Sequence, residues 1–487
     1  MTANMDSVLP LLTPEPWSFG ELVEAFRQAP MYHLIFEGFL IIFIVRLLFS
    51  KSYSIQSKME LTEKEKDQLI EEWTPEPLVP KLPPDYEPIK YRLVTQQGGS
   101  MLTVDGKQGI NMGTFNFLGM LGRQETEDAA VKSLKKYGVG TCGPRGFYGT
   151  MDVHLDFEER ISKFFGMEMG ILYSYGFSTV ASCIPAYSKR GDIIFCDEGV
   201  CFAVQMGLLA SRSQIKFFKH NDMEDLERLL EEQAIEDKKN PKKAKNTRKF
   251  MVVEGLYTNT GQITPINKLV EFKYKYKVRI FLDESMSFGV LGKTGLGVTE
   301  HFGIDVTDID LISASMETSL GTLGGFCVGS RYVVDHQRLS GLGYCFSASL
   351  PPMLASAAMA ALDLMESDPT MASRLQERSA NVHKELAKIA EMKVAGDPVS
   401  PIKHLYMRET GDKTRAEINK LLEAIVSKAL DEGVVLTTAC YLEEEEAFLP
   451  PPSIRIAVNI AASDEQIATA MKVIHKVASE VLQNVSS

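Results

Sequence analysis

The chain has 487 residues, 45% hydrophobic and 24% charged, with a formal net charge of −12. That length calls for a large domain, a smaller second one and an N-terminal appendage, and the composition is neither disordered nor that of a polytopic transporter. The acidic balance speaks against a phosphate-backbone-binding protein, and seven scattered cysteines without a C-x-x-C pair predict neither a disulfide framework nor a zinc site, placing the body in a reducing compartment.

The first 26 residues contain no Lys or Arg, unlike the basic start of a cleaved signal peptide. Trp17, Phe19, Leu22, Val23 and Phe26 could line one face of a short interfacial helix, which Pro30 ends. Met31 to Phe49 then reads as a membrane-spanning helix: its 19 residues would cover about 28 Å. Glu37 and Arg46 interrupt it, Arg46 near enough to one end to snorkel, and a buried amphipathic helix is the alternative. Arg46, Lys51, Lys58, Lys64 and Lys66 against Arg27 alone predict that the C-terminal body faces the cytosol. Thr74 to Pro88 carries six prolines and reads as a stiff spacer. The expected organisation is an anchor over 1–50, a linker over 51–90, a large domain over 91–390 and a small one over 391–487.

Beyond the linker, short apolar runs alternate with helical patterns. Strands are predicted over Gly170–Tyr173, Ile193–Cys196, Ile215–Phe218, Phe250–Val253, Arg279–Leu282 and Leu311–Ala314. Helices are predicted over Met223–Gln233, capped by Asn221 and Asp222, and over Ile266–Tyr276; a capping box at Ser463 to Gln466 opens the last helix. The basic run from Lys238 through Lys249 reads as a solvated insertion. Strand–helix alternation predicts an α/β fold with a mostly parallel sheet covered on both faces.

Two segments could carry chemistry. Tyr137 to Thr150, YGVGTCGPRGFYGT, holds five glycines and can approach a ligand or a second backbone closely; an interface loop is the competing reading. Cys142 sits among Gly140, Gly143 and Gly146, where added volume is expected to find little room. Arg279 to Ser285 is an apolar strand ending in Asp283 and Glu284, at the end of a parallel strand where α/β folds bind ligands. A capping or ion-paired acid is the alternative there.

In order, FNFLG (115–119), YGVGTCGPRGFYGT (137–150), His154-Leu155-Asp156, YSYGF (173–177), VVEGLY (252–257), LDES (282–285), LGGF (323–326), FSASLPP (346–352) and SIRIAV (453–458) resemble the α-oxoamine synthases. These are fold-type-I pyridoxal-phosphate (PLP) enzymes that condense an amino acid with an acyl-CoA. The likeness runs from about residue 90 to the end. It implies the PLP-dependent transferase fold, with a mostly parallel central sheet flanked by helices and a smaller α+β C-terminal domain. Within the family, the anchor, the proline linker, GTCGPRGFYGT and HQRLSGLGYCFSASLPP look like the non-catalytic long-chain-base subunits of the sphingolipid-synthesising enzyme of the endoplasmic reticulum membrane.

The catalytic pattern is broken in three places. Thr318 falls where the family's cofactor lysine is expected, and no lysine occurs between Lys293 and Lys384. Ser285 and Met286 stand where members have Ala-His, and Cys201 where a histidine stacks on the cofactor ring. The resemblance therefore implies that no catalytic residue resides in this chain and that a catalytic long-chain-base partner subunit holds the PLP. It assigns Ser347 and Ser349 to the phosphate of the partner's cofactor, and Asn116, Cys142 and Arg145 to the shared substrate pocket and interface. Arg455 matches the substrate-carboxylate arginine and is expected to make a structural ion pair. The further partners implied are small activating transmembrane subunits, Orm-family regulators and membrane lipids, with no nucleic acid and no metal.

Overall fold

The computed structural model describes residues 20, 24, 27–49, 61–79 and 91–486, and the chain divides into two compact units, Met1–Ile89 and Lys90–Ser487. The expected interfacial helix near Trp17 and the spacer beyond residue 79 lie largely outside the described residues.

In the first unit, a helix runs over Met31–Phe49, with the bounds expected from sequence. Its mean hydropathy is 2.0 and none of it is buried among the described residues. This fits a single-pass membrane protein. A second helix, Glu63–Glu72, is started by a capping box in which Thr62 and Glu65 satisfy each other's backbone N–H groups.

The second unit contains fifteen strands among its described residues. In chain order these are β1 (Val94–Gly98), β2 (Met101–Val104), β3 (Lys107–Asn111), β4 (Met169–Tyr173), β5 (Ile193–Asp197), β6 (Gln214–Phe218), β7 (Lys249–Glu254), β8 (Arg279–Asp283), β9 (Leu311–Ser315), β10 (Gly325–Gly329), β11 (Met392–Ala395), β12 (Ile402–Met407), β13 (Val434–Val435), β14 (Thr437–Thr438) and β15 (Ile454–Ala457). The central sheet has the order β4-β10-β9-β8-β7-β5-β6, and β10 alone runs antiparallel to its neighbours. A meander of β1 to β3 is extended by β13, and β11-β12-β15-β14 form a separate antiparallel sheet.

The six predicted strands form with ends moved by one residue at most. Their apolar runs serve both faces of the sheet: Met251, Val253, Ile280 and Leu282 enter one core, while Phe250, Val252 and Phe281 enter the other. The basic run is largely exposed, as expected of a solvated insertion, and it is helical. The helix that begins at Met223 continues to Lys239, a short helix follows over Pro241–Asn246, and Lys249 pairs with Asp237 as β7 begins. Lysines at a helix C-terminus complement its dipole.

Parallel strands set their carboxyl ends side by side. Glu254 and Asp283 are register partners at the ends of β7 and β8, with Ser313 of β9 opposite Asp283. The sheet thus gathers polar side chains from distant segments at one edge.

Candidate functional site

A cavity of about 390 Å³ opens at that edge. Its lining carries the hydroxyls of Thr114, Thr258, Ser285, Ser315 and Thr318, the carboxylates of Asp283 and Glu317, the rings of Phe115 and Phe177, and the sulfurs of Cys201 and Met286. Among the described residues, no Lys, Arg or His belongs to the lining.

Asp283 is 4% exposed. Its Oδ1 accepts hydrogen bonds from Ser285 Oγ at 2.9 Å and Ser313 Oγ at 2.8 Å, while no side-chain donor and no cation reaches Oδ2 among the described residues. Burial pushes its carboxyl up to about 6. Behind it, Glu254 accepts from the Cys201 and Thr258 N–H groups; burial, with the repulsion of Asp283, pushes it up to about 8. Burial and Glu254 also hold the Cys201 thiol well above its ordinary range. Thr318 is buried, and its hydroxyl donates to the Ser285 carbonyl at 2.7 Å.

Glu317 takes a position the sequence did not reveal. Helix Gly176–Tyr187 begins at the cavity, and a Cβ built on Gly176 would lie 3.4 Å from Glu317 Oε1 and 2.5 Å from Ser315 Oγ. The carboxylate therefore sits at the positive end of that helix, where an anion is favoured. No cation pairs with it among the described residues.

A second cavity, about 340 Å³, joins three of the sequence motifs: Gly140, Thr141 and Cys142, then Ser174 and Tyr175, then Ser347 to Ser349. Ser349 is buried, donating its hydroxyl to the Gly143 carbonyl at 3.1 Å and its N–H to the same oxygen at 3.0 Å. Ser347 is only half-buried, with a 3.3 Å contact to the next carbonyl. His154 receives the Met151 N–H on Nδ1 and so donates Nε2–H to the Leu350 carbonyl at 2.7 Å. Cys142 is exposed with φ 57°, and Gly140 and Gly146 have no atom within reach of an added Cβ. The expected lack of room is found at Gly143, where an added Cβ would stand 2.6 Å from the Phe147 carbonyl, while the Cys142 side chain itself is exposed and constrained by its backbone conformation.

Two other expected residues turn inward. Arg145 Nη1 pairs with Glu158 at 2.7 Å, both side chains almost wholly buried, and Arg338 reaches the same carboxylate at 3.2 Å. Asn116 is buried, its side chain accepting the Leu121 N–H at 3.3 Å, although its neighbours Thr114 and Phe115 do line the first cavity. Arg455 makes no ion pair among the described residues, contrary to expectation. Its guanidinium lies 4.2 Å over the Phe115 ring and its buried Nε has no hydrogen-bond partner. Its strand neighbour His404 is bonded to Ser453 and Thr258, and burial lowers its pKa to about 4.

The family model for aminotransferase class I and II matches residues 107–474. A rice protein, long chain base biosynthesis protein 1b, is 44% identical over 450 residues, covering 92% of each chain. Serine palmitoyltransferase 1 of Dictyostelium discoideum is 41% identical over 459 residues, covering 93% of this chain and 95% of its own. The chain belongs to the serine palmitoyltransferase 1 family. That of Saccharomyces cerevisiae is 34% identical over 458 residues, covering 85% of this chain and 82% of its own. Among solved structures, serine palmitoyltransferase of Sphingomonas wittichii superposes with a TM-score of 0.71 at 25% identity, over 80% of this chain and 93% of its own. A structure of the enzyme solved with PLP gives the same TM-score, identity and coverage. These matches establish the fold-type-I PLP fold and a transferase family, and they leave the roles of Asp283, Glu317 and Thr318 to the geometry above.

Proposed function

We propose that the chain is the lysine-less subunit of serine palmitoyltransferase, required beside a catalytic partner for condensing L-serine with palmitoyl-CoA to 3-ketodihydrosphingosine, CO₂ and CoA. One observation carries the reading: the first cavity has no lysine in its lining, and Thr318, at the position expected for it, is tied to the Ser285 carbonyl. Pyridoxal phosphate does not fit the residues present, since no amine is there to hold it and Glu317 already stands where its phosphate would profit from the helix dipole. The catalytic long-chain-base subunit 2 therefore supplies the lysine and the bound cofactor, whose chemistry is to stabilise a carbanion at the amino acid's Cα.

This chain's part is to complete the partner's site. Phe147, Tyr148, Tyr175, Leu342 and Phe346 are exposed apolar side chains in the motif-bearing segments, and a partner subunit would cover them. In this reading Ser347 reaches the partner's cofactor phosphate, while Ser349, Arg145 and Asn116 hold loops in place and Cys142 lies at the interface. The 1–50 segment anchors the protein in the endoplasmic reticulum membrane, residues 51–90 link it to a cytosolic body of a 91–390 and a 391–487 domain, and small transmembrane activators and Orm-family regulators dock near the anchor. The internal engagement of Ser349 favours a second reading, a membrane scaffold that adds no group to the site.

Borohydride reduction of the purified complex, followed by peptide mapping, tests the assignment. A pyridoxyl-lysine on the partner alone is expected, and a stoichiometric one on this chain overturns it. Ser347→Ala should weaken cofactor retention with the heteromer intact; unchanged retention leaves the scaffold reading.

A further inference from the structure

The first cavity is a shaped site without an assigned occupant. The exposed Glu317 carboxylate lies at the helix N-terminus, where it disfavours a second anion, and no cation lines the walls among the described residues. What remains is a nearly buried carboxylate, Asp283, whose partners are the Ser285 and Ser313 hydroxyls and the Ser285 N–H and which no cation pairs among the described residues, together with the Thr258 hydroxyl, which makes no hydrogen bond among them. Phe115, Phe177 and Met286 give the wall an apolar part, beside the hydroxyls of Thr114, Ser315 and Thr318 and the Glu317 carboxylate. A buried carboxylate without a counter-charge is costly, and a charge-assisted N–H donor removes that cost more effectively than a neutral one. Aromatic faces add to the attraction for a cation.

We propose that this cavity binds an amphiphilic primary amine, its ammonium on Asp283 and its apolar body against Phe115, Phe177 and Met286, in place of an anionic cofactor. About 390 Å³ lies within the range of small-molecule pockets. Ammonium recognition needs Asp283 ionised, and its carboxyl titrates at about 6, so affinity declines about tenfold for each pH unit below that value. The contact is an ion pair between ammonium and carboxylate, so binding is reversible and non-covalent.

The test uses the full chain in its complex after borohydride reduction, which prevents an aldehyde cofactor on any partner from taking up amines. Titration calorimetry compares 2-aminohexan-1-ol with hexane-1,2-diol, hexanoate and inorganic phosphate. The amine alone is expected to bind, with one site for each copy of this chain. Asp283→Asn, which keeps the shape and both serine contacts, should weaken it by at least about tenfold. Ala203→Leu, which adds volume at the cavity wall, should abolish it. Equal binding of the diol, an unchanged Asp283→Asn affinity, or phosphate binding at the same site overturns the proposal. A pyridoxyl-lysine on this chain in the reduction step instead overturns the lysine-less reading, so the two failures stay distinct.

Discussion

Asp283 should destabilise the empty protein, and Asp283→Asn measures by how much. Its carboxyl titrates at about 6 in the fold against an ordinary value of 3.8, because burial disfavours the charge. The folded state therefore holds a proton over that interval which the unfolded chain has lost, and stability falls as pH rises from about 4 to 6. Above 6 the whole difference applies, ~3 kcal/mol by the equivalence of pKa and free energy. Asparagine carries no charge and its Oδ1 can still accept from Ser285 and Ser313. It also removes the repulsion that helps raise Glu254. Urea unfolding followed by near-ultraviolet circular dichroism should show the variant ~1–3 kcal/mol more stable at about pH 7.5, the gain vanishing toward pH 4. A variant destabilised at both pH values, or a gain independent of pH, would refute the reasoning.

Other outcomes follow from single contacts. Gly149→Ala should lose ~1–3 kcal/mol in thermal unfolding, because the new Cβ would stand 2.6 Å from the Pro144 carbonyl and 2.5 Å from Ser349 Oγ. Arg145→Met should cost ~2–4 kcal/mol by leaving the buried Glu158 with only Arg338 as ion-pair partner, beside the Leu172 N–H; a change under about 1 kcal/mol would mean the buried pair contributes little. At Cys142, with φ 57°, glycine should be neutral or stabilising and valine destabilising by ~1–2 kcal/mol, read by scanning fluorimetry; equal melting of the two would contradict the backbone argument. Protease added outside intact microsomes should digest the body and spare the N-terminal segment, whereas a protected C-terminal tag would reverse the orientation.

What could be read from sequence was what depends on neighbours along the chain. The apolar runs at Ile193, Phe250 and Arg279 to Leu282 gave strands, Asp222 capped its helix through the Glu224 and Asp225 N–H groups, and Ser463 and Gln466 closed their box. β10 escaped because Gly324, Gly325 and Gly329 disguise a five-residue buried run as a loop. Arg145 and Arg455 were given pocket and ion-pair roles by their motifs, but side-chain direction depends on Glu158 and Phe115, which no local pattern names. Glu317 was passed over although it directly precedes Thr318; an acid beside a position expected to carry a cofactor lysine was the available signal.

Glu158 serves two masters. Arg145 belongs to the glycine-rich segment and Arg338 to the helix Arg331–Ser340, yet both close on one carboxylate, with Tyr344 against both guanidinium groups and Ser349 and Gly143 joined a few residues away. Two surface segments that are 193 residues apart (338 minus 145) are thereby riveted into one rigid plate. A subunit docking on that plate meets a shape whose disorder was already lost when the chain folded, so little further ordering opposes association. The same rivet makes the plate brittle: a substitution on either segment deforms both, and a defect at Arg338 should register in the loop around Cys142 before it registers in the core.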